Sequence, residues 1–277
     1  MTAAGTAPAG AGAGHAAVLP HLRYRLVRDT GLIAGRYLRV LRRNPGRLIY
    51  PLLQPLVLLT LFLSVFGNLA AGRNAAPGAY REFLVPGIII QNAALTAPTT
   101  GLAMLRDAGS GLADRFRSLP MSRPAVLLGR LGGDAVIYAV QAALLLGVAT
   151  VLGFTVRTGL AGAAGIVNIA VAFGLAISVL SAWLALLIND AETAERVLFF
   201  PAIAIAFVSS AFAPVADLAG WMRPVARFNP VSAAADLIRT LAAGGPAARP
   251  FWLLACWIAV LVAVPGVLAV RRWQASP

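Results

Sequence analysis

Polar residues are sparse along this chain, and the apolar ones gather in long runs. Six runs stand out, at about residues 48–69, 83–105, 131–154, 160–188, 197–212 and 251–270. With a rise of about 1.5 Å per residue, a helix over each run approaches the ~30 Å of bilayer hydrocarbon. The pattern therefore predicts an all-α, polytopic membrane protein with six transmembrane helices. Pro51 and Pro55 fall near the start of the first run, and the fifth run is short.

Two further elements flank the runs. On a helical wheel of residues 28–43, Ile33, Ala34, Tyr37, Leu38, Val40 and Leu41 share one face, while Arg28, Arg36, Arg39, Arg42 and Arg43 take the opposite one; Leu32 is the exception. A helix with this division lies in the membrane surface with its arginines toward lipid phosphates, and Asn44-Pro45-Gly46 ends it. Residues 213–250 hold Ala213-Pro214, Trp221, Arg223-Pro224 and Asn229-Pro230, with a possible short helix over 231–241. That segment is too long for a tight turn and too broken for a span, so it reads as a re-entrant or interfacial hairpin before the last span. Residues 1–27 read as a flexible cytoplasmic tail. They do not read as a secretory leader, because no basic region precedes a compact apolar stretch.

Composition agrees with a membrane class and fixes an orientation. The chain is 59% hydrophobic and 12% charged, against about 25% charged in soluble domains. All 23 basic residues are arginine. With the N-terminus inside, 16 arginines fall on the inner side and 7 on the outer, so the positive-inside rule places both termini in the cytoplasm. The net charge of +13 then reports inner loops and anionic lipid, and nucleic acid is not expected as a partner.

Candidate chemistry is thin. His15 and His21 lie in the tail and Cys256 is the single cysteine. No catalytic triad, metal-ligand spacing or phosphate-binding lysine motif exists in the sequence, so no catalytic residue, metal or cofactor is expected in this chain. The polar residues inside the runs are more suggestive. Gln91, Asn92, Thr96, Thr99 and Thr100 crowd the second run, Gln141 lies in the third, and Asn168 and Ser178 lie in the fourth. Such groups either bond between helices or line a substrate pathway. Arg130 and Asp134, four apart, share a helix face at the inner end of the third run.

The segment between the second and third runs carries the most specific pattern. Gly109 and Gly111 break the exiting helix. Leu112, Phe116 and Leu119 then form one apolar stripe, Asp114, Arg115 and Arg117 fall off it, and Pro120 stops it. A short amphipathic helix of this kind suits either a lipid surface or the groove of another protein.

At this point the chain resembles the permeases of type 2 ATP-binding-cassette exporters, in particular the daunorubicin and multidrug resistance branch. The resemblance rests on Tyr80-Arg81-Glu82-Phe83-Leu84-Val85-Pro86-Gly87, on Gly111 through Arg123 with its Leu119-Pro120-Met121-Ser122-Arg123 ending, on the basic helix before the first span, and on Phe228-Asn229-Pro230 followed by Asp236-Leu237-Ile238-Arg239. It implies a permease domain over residues 28–272 in a bacterial plasma membrane, moving an amphipathic drug, antibiotic or lipid-like substrate outward. It also implies that ATP and magnesium belong to a separate cytoplasmic ATPase subunit, and that a second permease copy or paralogue completes the transporter. The loop 106–123 would be the coupling element, with Gly111, Leu112, Asp114, Arg115, Phe116, Arg117, Leu119, Pro120, Ser122 and Arg123 at the ATPase. Arg36, Tyr37, Arg39, Arg42 and Arg43 would hold the interfacial helix to lipid or ATPase. Family members often carry a glutamate near the position of Asp114, so a shorter carboxylate stands here. A glycan or lipid exporter of the same family, an ion-coupled carrier working without ATP, and a non-transporting scaffold are the alternatives.

Overall fold

The computed structural model describes Gly35 and residues 46–71, 78–109, 123–188 and 190–275. Among these residues the chain forms helices and turns, with no strand. The helices are α1 (Gly46–Ala71), α2 (Ala79–Thr96), α3 (Pro98–Gly109), α4 (Arg123–Val151), α5 (Gly159–Ala185), α6 (Ala191–Phe207), α7 (Met222–Phe228), α8 (Pro230–Ala243) and α9 (Ala248–Ala275). A tighter single turn, Val215–Asp217, precedes α7.

Four helices are long and apolar enough to cross a membrane: Ala79–Asp107 (α2 and α3 together), Leu128–Val151, Gly159–Ala185 and Ala248–Pro265. The first expected span appears as a shorter apolar helix, Pro51–Gly67. The fifth differs more. Its helix begins at Ala191, spends its first turns on Glu192, Glu195 and Arg196, and stops at Phe207 instead of running on to residue 212. Asp190 caps it, accepting from the Thr193 amide at 2.8 Å, and that bond holds the Asp190 carboxyl below its ordinary range. The second expected span keeps a continuous helical backbone, with Ala97 at helical angles and its amide on the Ala93 carbonyl at 3.2 Å, but Pro98 has no amide to donate, so one helical hydrogen bond is missing between α2 and α3. The expected interfacial helix over 28–43 lies, Gly35 apart, outside the described residues.

Helix α2 is the central post of the bundle. Every residue from Leu84 to Ala94 is buried, because α1, α4, α5, α6 and α8 all pack on it. Two glycines allow close approaches between helices and turns of this core. A Cβ on Gly87 would stand 2.0 Å from the Ala211 carbonyl oxygen, and one on Gly174 would stand 2.8 Å from the Tyr138 ring. The main core joins Ile88, Ile89, Leu145, Ile166, Phe173 and Ile238 from α2, α4, α5 and α8. Helix α9 is the opposite case, with only 17% of its apolar stretch buried inside the molecule.

Between α6 and α9 the expected hairpin is two helices, α7 and α8, meeting at Asn229. That residue explains why the chain can turn there. Its Nδ2 donates to the carbonyls of Ile205 and Val208, at 2.8 and 2.7 Å, where α6 has run out of amides. Its Oδ1 accepts from the Val231 amide at 2.8 Å and caps α8, with Pro230 at the first helical position. One side chain, 5% exposed, thus satisfies three backbone groups of two helix ends.

Replacing Asn229 with Ala is expected to cost about 2–4 kcal/mol, the sum of a lost cap and buried unpaired carbonyls, read as a fall in thermal midpoint in detergent. Gly87→Ala should cost about 1–3 kcal/mol by forcing α2 off Ala211. Gly67→Ala, with nothing within 4 Å of the added Cβ, serves as the neutral control in the same assay.

Candidate functional site: a buried polar column joining α2, α3, α4 and α5

The polar residues of α2 and α3 lie over two helical turns on either side of Pro98, and their partners come from α4 and α5. Gln141 Oε1 accepts from Asn92 Nδ2 at 3.0 Å and from Thr96 Oγ1 at 3.3 Å. One turn further, Thr100 Oγ1 donates to Asp134 Oδ2 at 2.8 Å and lies 3.2 Å from Ser178 Oγ. Tyr138 Oη lies 2.7 Å from Ser178 Oγ. Each hydroxyl carries one proton. The arrangement that satisfies all three therefore runs from Tyr138 to Ser178 to Thr100 and ends on the Asp134 carboxylate. Arg130 Nε reaches the same Oδ2 at 3.3 Å across one helical turn, as the spacing of the two residues predicts.

These contacts are structural in the first place. Asn92, Thr96 and Thr100 are paired across helices, and Asp134 and Tyr138 are 5% and 2% exposed. Thr99 is exposed and returns its hydroxyl to the Thr96 carbonyl at 2.7 Å. Gln91 differs. It is 1% exposed, and among the described residues neither its Nε2 nor its Oε1 has a hydrogen-bond partner. It follows Tyr80, Leu84 and Gly87 along one stripe of α2, the stripe on which Gly87 meets Ala211 and the Tyr80 hydroxyl reaches the Phe212 carbonyl. Asn168 turns back on its own helix, bonding the Ala164 carbonyl at 2.9 Å.

A second polar cluster lies at the other end of α2. Arg239 Nε donates to the Phe83 carbonyl at 3.0 Å, Nη1 to Asp236 Oδ1 at 2.6 Å and Nη2 to the Ser210 carbonyl at 2.7 Å. Its guanidinium also lies 3.7 Å from the centroid of the Phe83 ring. Arg239 so fastens α8 to the first turn of α2 and to the turn after α6. The sequence signals this cluster only weakly, through an acid and an arginine three apart in an apolar helix. The double role of Asn229 is likewise visible only as an Asn-Pro cap.

Of the residues expected at the ATPase, Gly111, Leu112, Asp114, Arg115, Phe116, Arg117, Leu119, Pro120 and Ser122 lie outside the described residues, and Arg123 is described only as the start of α4. Arg36, Tyr37, Arg39, Arg42 and Arg43 also lie outside them. The described part nevertheless fixes the surroundings of the loop. The Thr100–Asp134 bond ties α3, which leads into the loop, to α4, which leaves it, and Ser178 ties both to α5.

The pattern of the ABC-2 type transporter family matches residues 28–242. The chain belongs to that family. A daunorubicin resistance ABC transporter permease protein of Streptomyces coeruleorubidus is 30% identical over 239 residues, 86% of this chain and 83% of the relative. A probable doxorubicin resistance ABC transporter permease protein of Mycobacterium tuberculosis is 31% identical over 250 residues, 89% of each chain. A putative transport permease of Porphyra purpurea is 24% identical over 225 residues, 78% of this chain and 74% of the relative. The resemblance seen in the loop and the Asn-Pro segment therefore extends through the membrane helices, and the family member is a multi-pass membrane protein.

Asp134→Leu should cost about 3 kcal/mol or more, because Arg130 and Thr100 lose a common charged acceptor in a buried site. Thr100→Val, which removes one inter-helix bond, should cost nearer about 1 kcal/mol. Thermal unfolding of the two purified variants in one detergent gives the order, and an equal loss would contradict it.

Proposed function

We propose that this chain is the permease subunit of an ATP-binding-cassette exporter that moves an amphipathic drug, antibiotic or lipid-like molecule out of the cell. Two copies, or this chain and a paralogue, pair with two cytoplasmic ATPase subunits that hold ATP and magnesium. Six helices cross the membrane in this reading. They are α1, α2 with α3, α4, α5, α6 and α9. The α7–α8 hairpin dips in from the outer side, both termini are cytoplasmic, and the basic helix over 28–43 lies on the inner surface. The drug resistance names of the two relatives above supply the substrate class.

The observation that carries the mechanism is the bonding of Thr100, Asp134, Arg130 and Ser178 at the root of the 106–123 segment. When the ATPases close on ATP, they push the loop helix, gripped through Leu112, Phe116 and Leu119 with Asp114, Arg115 and Arg117 pairing at its edge. The push reaches α3 and α4 together, because a buried charge-assisted bond resists their separation. The hydrogen bond missing at Pro98 lowers the resistance to bending there, so α3 can move relative to α2, which the core holds on every side. The bundle then shifts between inward and outward states only as far as the ATPase contacts differ in the two. Gln91, buried in α2 and without a hydrogen-bond partner among the described residues, becomes available to a substrate when the helices around it part.

Phe116→Asp should lower transport-coupled ATP hydrolysis at least about tenfold, the effect of about 1.4 kcal/mol, while the permease still inserts in the membrane. The assay is substrate-stimulated ATPase activity of the reconstituted permease–ATPase complex. Unchanged stimulation would overturn the coupling assignment. Transport that survives vanadate and collapses with an uncoupler would favour an ion-coupled carrier instead.

A further inference from the structure

The α7–α8 hairpin carries an exposed surface that the proposed coupling does not use. Helix α7 has three distinct sides. Ala226 is fully buried against the bundle. Trp221, Val225 and Phe228, which recur at spacings of four and three, are 70%, 51% and 69% exposed. Arg223 and Arg227 are exposed too, and at about 100° per residue they fall on the side away from the aromatic face. The Arg223 Nε donates to the Leu218 carbonyl at 3.0 Å, which directs that side chain back over the loop before α7.

The depth of this helix follows from its neighbour. Trp257 donates its indole N–H to the Phe228 carbonyl at 2.9 Å. Trp257 stands nine residues into α9, about 13 Å along it, so the end of α7 lies beside the apolar span and not above it. At the start of α9, Phe251 and Trp252 meet edge to face, with centroids 5.4 Å apart, and are 50% and 67% exposed. Phe228 at the end of α7 and Phe251 and Trp252 near the start of α9 thus put three exposed rings along a helix whose own apolar surface is mostly uncovered, and Trp221 adds a fourth at the other end of α7. An apolar aromatic face opposite an arginine face, at the end of a span, is the division of a helix lying at a membrane–water boundary.

We propose that α7, with Phe251 and Trp252, is a lipid-anchoring element that seats its aromatic face at the hydrocarbon edge of the outer leaflet and binds anionic phospholipid headgroups through Arg223 and Arg227. Lipid fixes the outer end of the hairpin, as Asn229 fixes its inner end. The inference rests on the hairpin facing outward, as proposed above.

The test uses the full chain in liposomes of phosphatidylglycerol and phosphatidylcholine. A Cys256→Ser background receives Trp221→Cys labelled with bimane. Nitroxide lipids carrying the spin label near the headgroup should quench the probe more than those labelled at the chain end. Labelled phosphatidylglycerol should quench more than labelled phosphatidylcholine, and Arg223→Gln with Arg227→Gln should remove that difference. In the unlabelled chain, Trp221→Phe should remove part of the tryptophan quenching produced by dibrominated lipid, which tests the site without a probe. Quenching by aqueous iodide without lipid quenching would overturn the anchor in favour of a solvated helix. Quenching by neither would overturn it in favour of a face covered by protein, such as a second copy. An impermeant thiol reagent that reaches position 221 only from the inner side would overturn the orientation instead, so the two failures are distinguishable.

Discussion

Hydrocarbon offers no hydrogen bonds, so a polar group placed between these helices must be answered by another part of the same chain. Asn229 shows the constraint at its strictest. Helix α6 ends at Phe207, short of the length of the neighbouring spans, and leaves carbonyls that water would satisfy in a soluble protein. The Asn229 side chain supplies both missing donors and at the same time accepts from the first amide of α8. Without that side chain a turn at this depth would leave several backbone groups unpaired, and the hairpin, the Arg239 cluster above it and the packing of α8 on α2 all follow from it.

The same constraint organises the other end of the bundle. Pro98 in the second span removes one backbone bond, and the polar residues on either side of it are taken up by Gln141, Asp134 and Ser178 from two other helices. The buried Thr100–Asp134 bond ties α3 to α4, the two helices on either side of residues 110–122. Gln91 stands apart because both polar atoms of its amide are enclosed and without a partner among the described residues, whereas Gln141 lacks one only at its Nε2; an unpaired buried group costs about 1–3 kcal/mol, which a folded chain does not ordinarily carry without a use.

The surface obeys a complementary rule. Apolar side chains on α9 and α7 are exposed in the isolated molecule, as they must be in a protein whose solvent is lipid. Arg223 and Arg227 are exposed on the remaining side of α7.

Much of this was readable before any coordinates. Length of apolar run and absence of charge decided a helical membrane protein, because a buried backbone with no water has few alternatives. The Leu119-Pro120-Met121-Ser122-Arg123 loop and the Asn229-Pro230 segment pointed to the family. The pairing of Arg130 with Asp134 followed from a spacing of four on one helix. Local pattern left open where α6 would stop: Ser209 and Ser210 interrupt the apolar run, but the packing of Ala211 against Gly87 and the bond from the Ser210 amide to Ser232 fix the turn. Nor could it tell which polar residues were paired. Gln91 and Asn92 are adjacent in sequence and identical in hydropathy pattern, yet a rotation of about 100° sends one to Gln141 and leaves the other unmatched. Pairing depends on which neighbouring helix lies across each face, and only the packed bundle decides that.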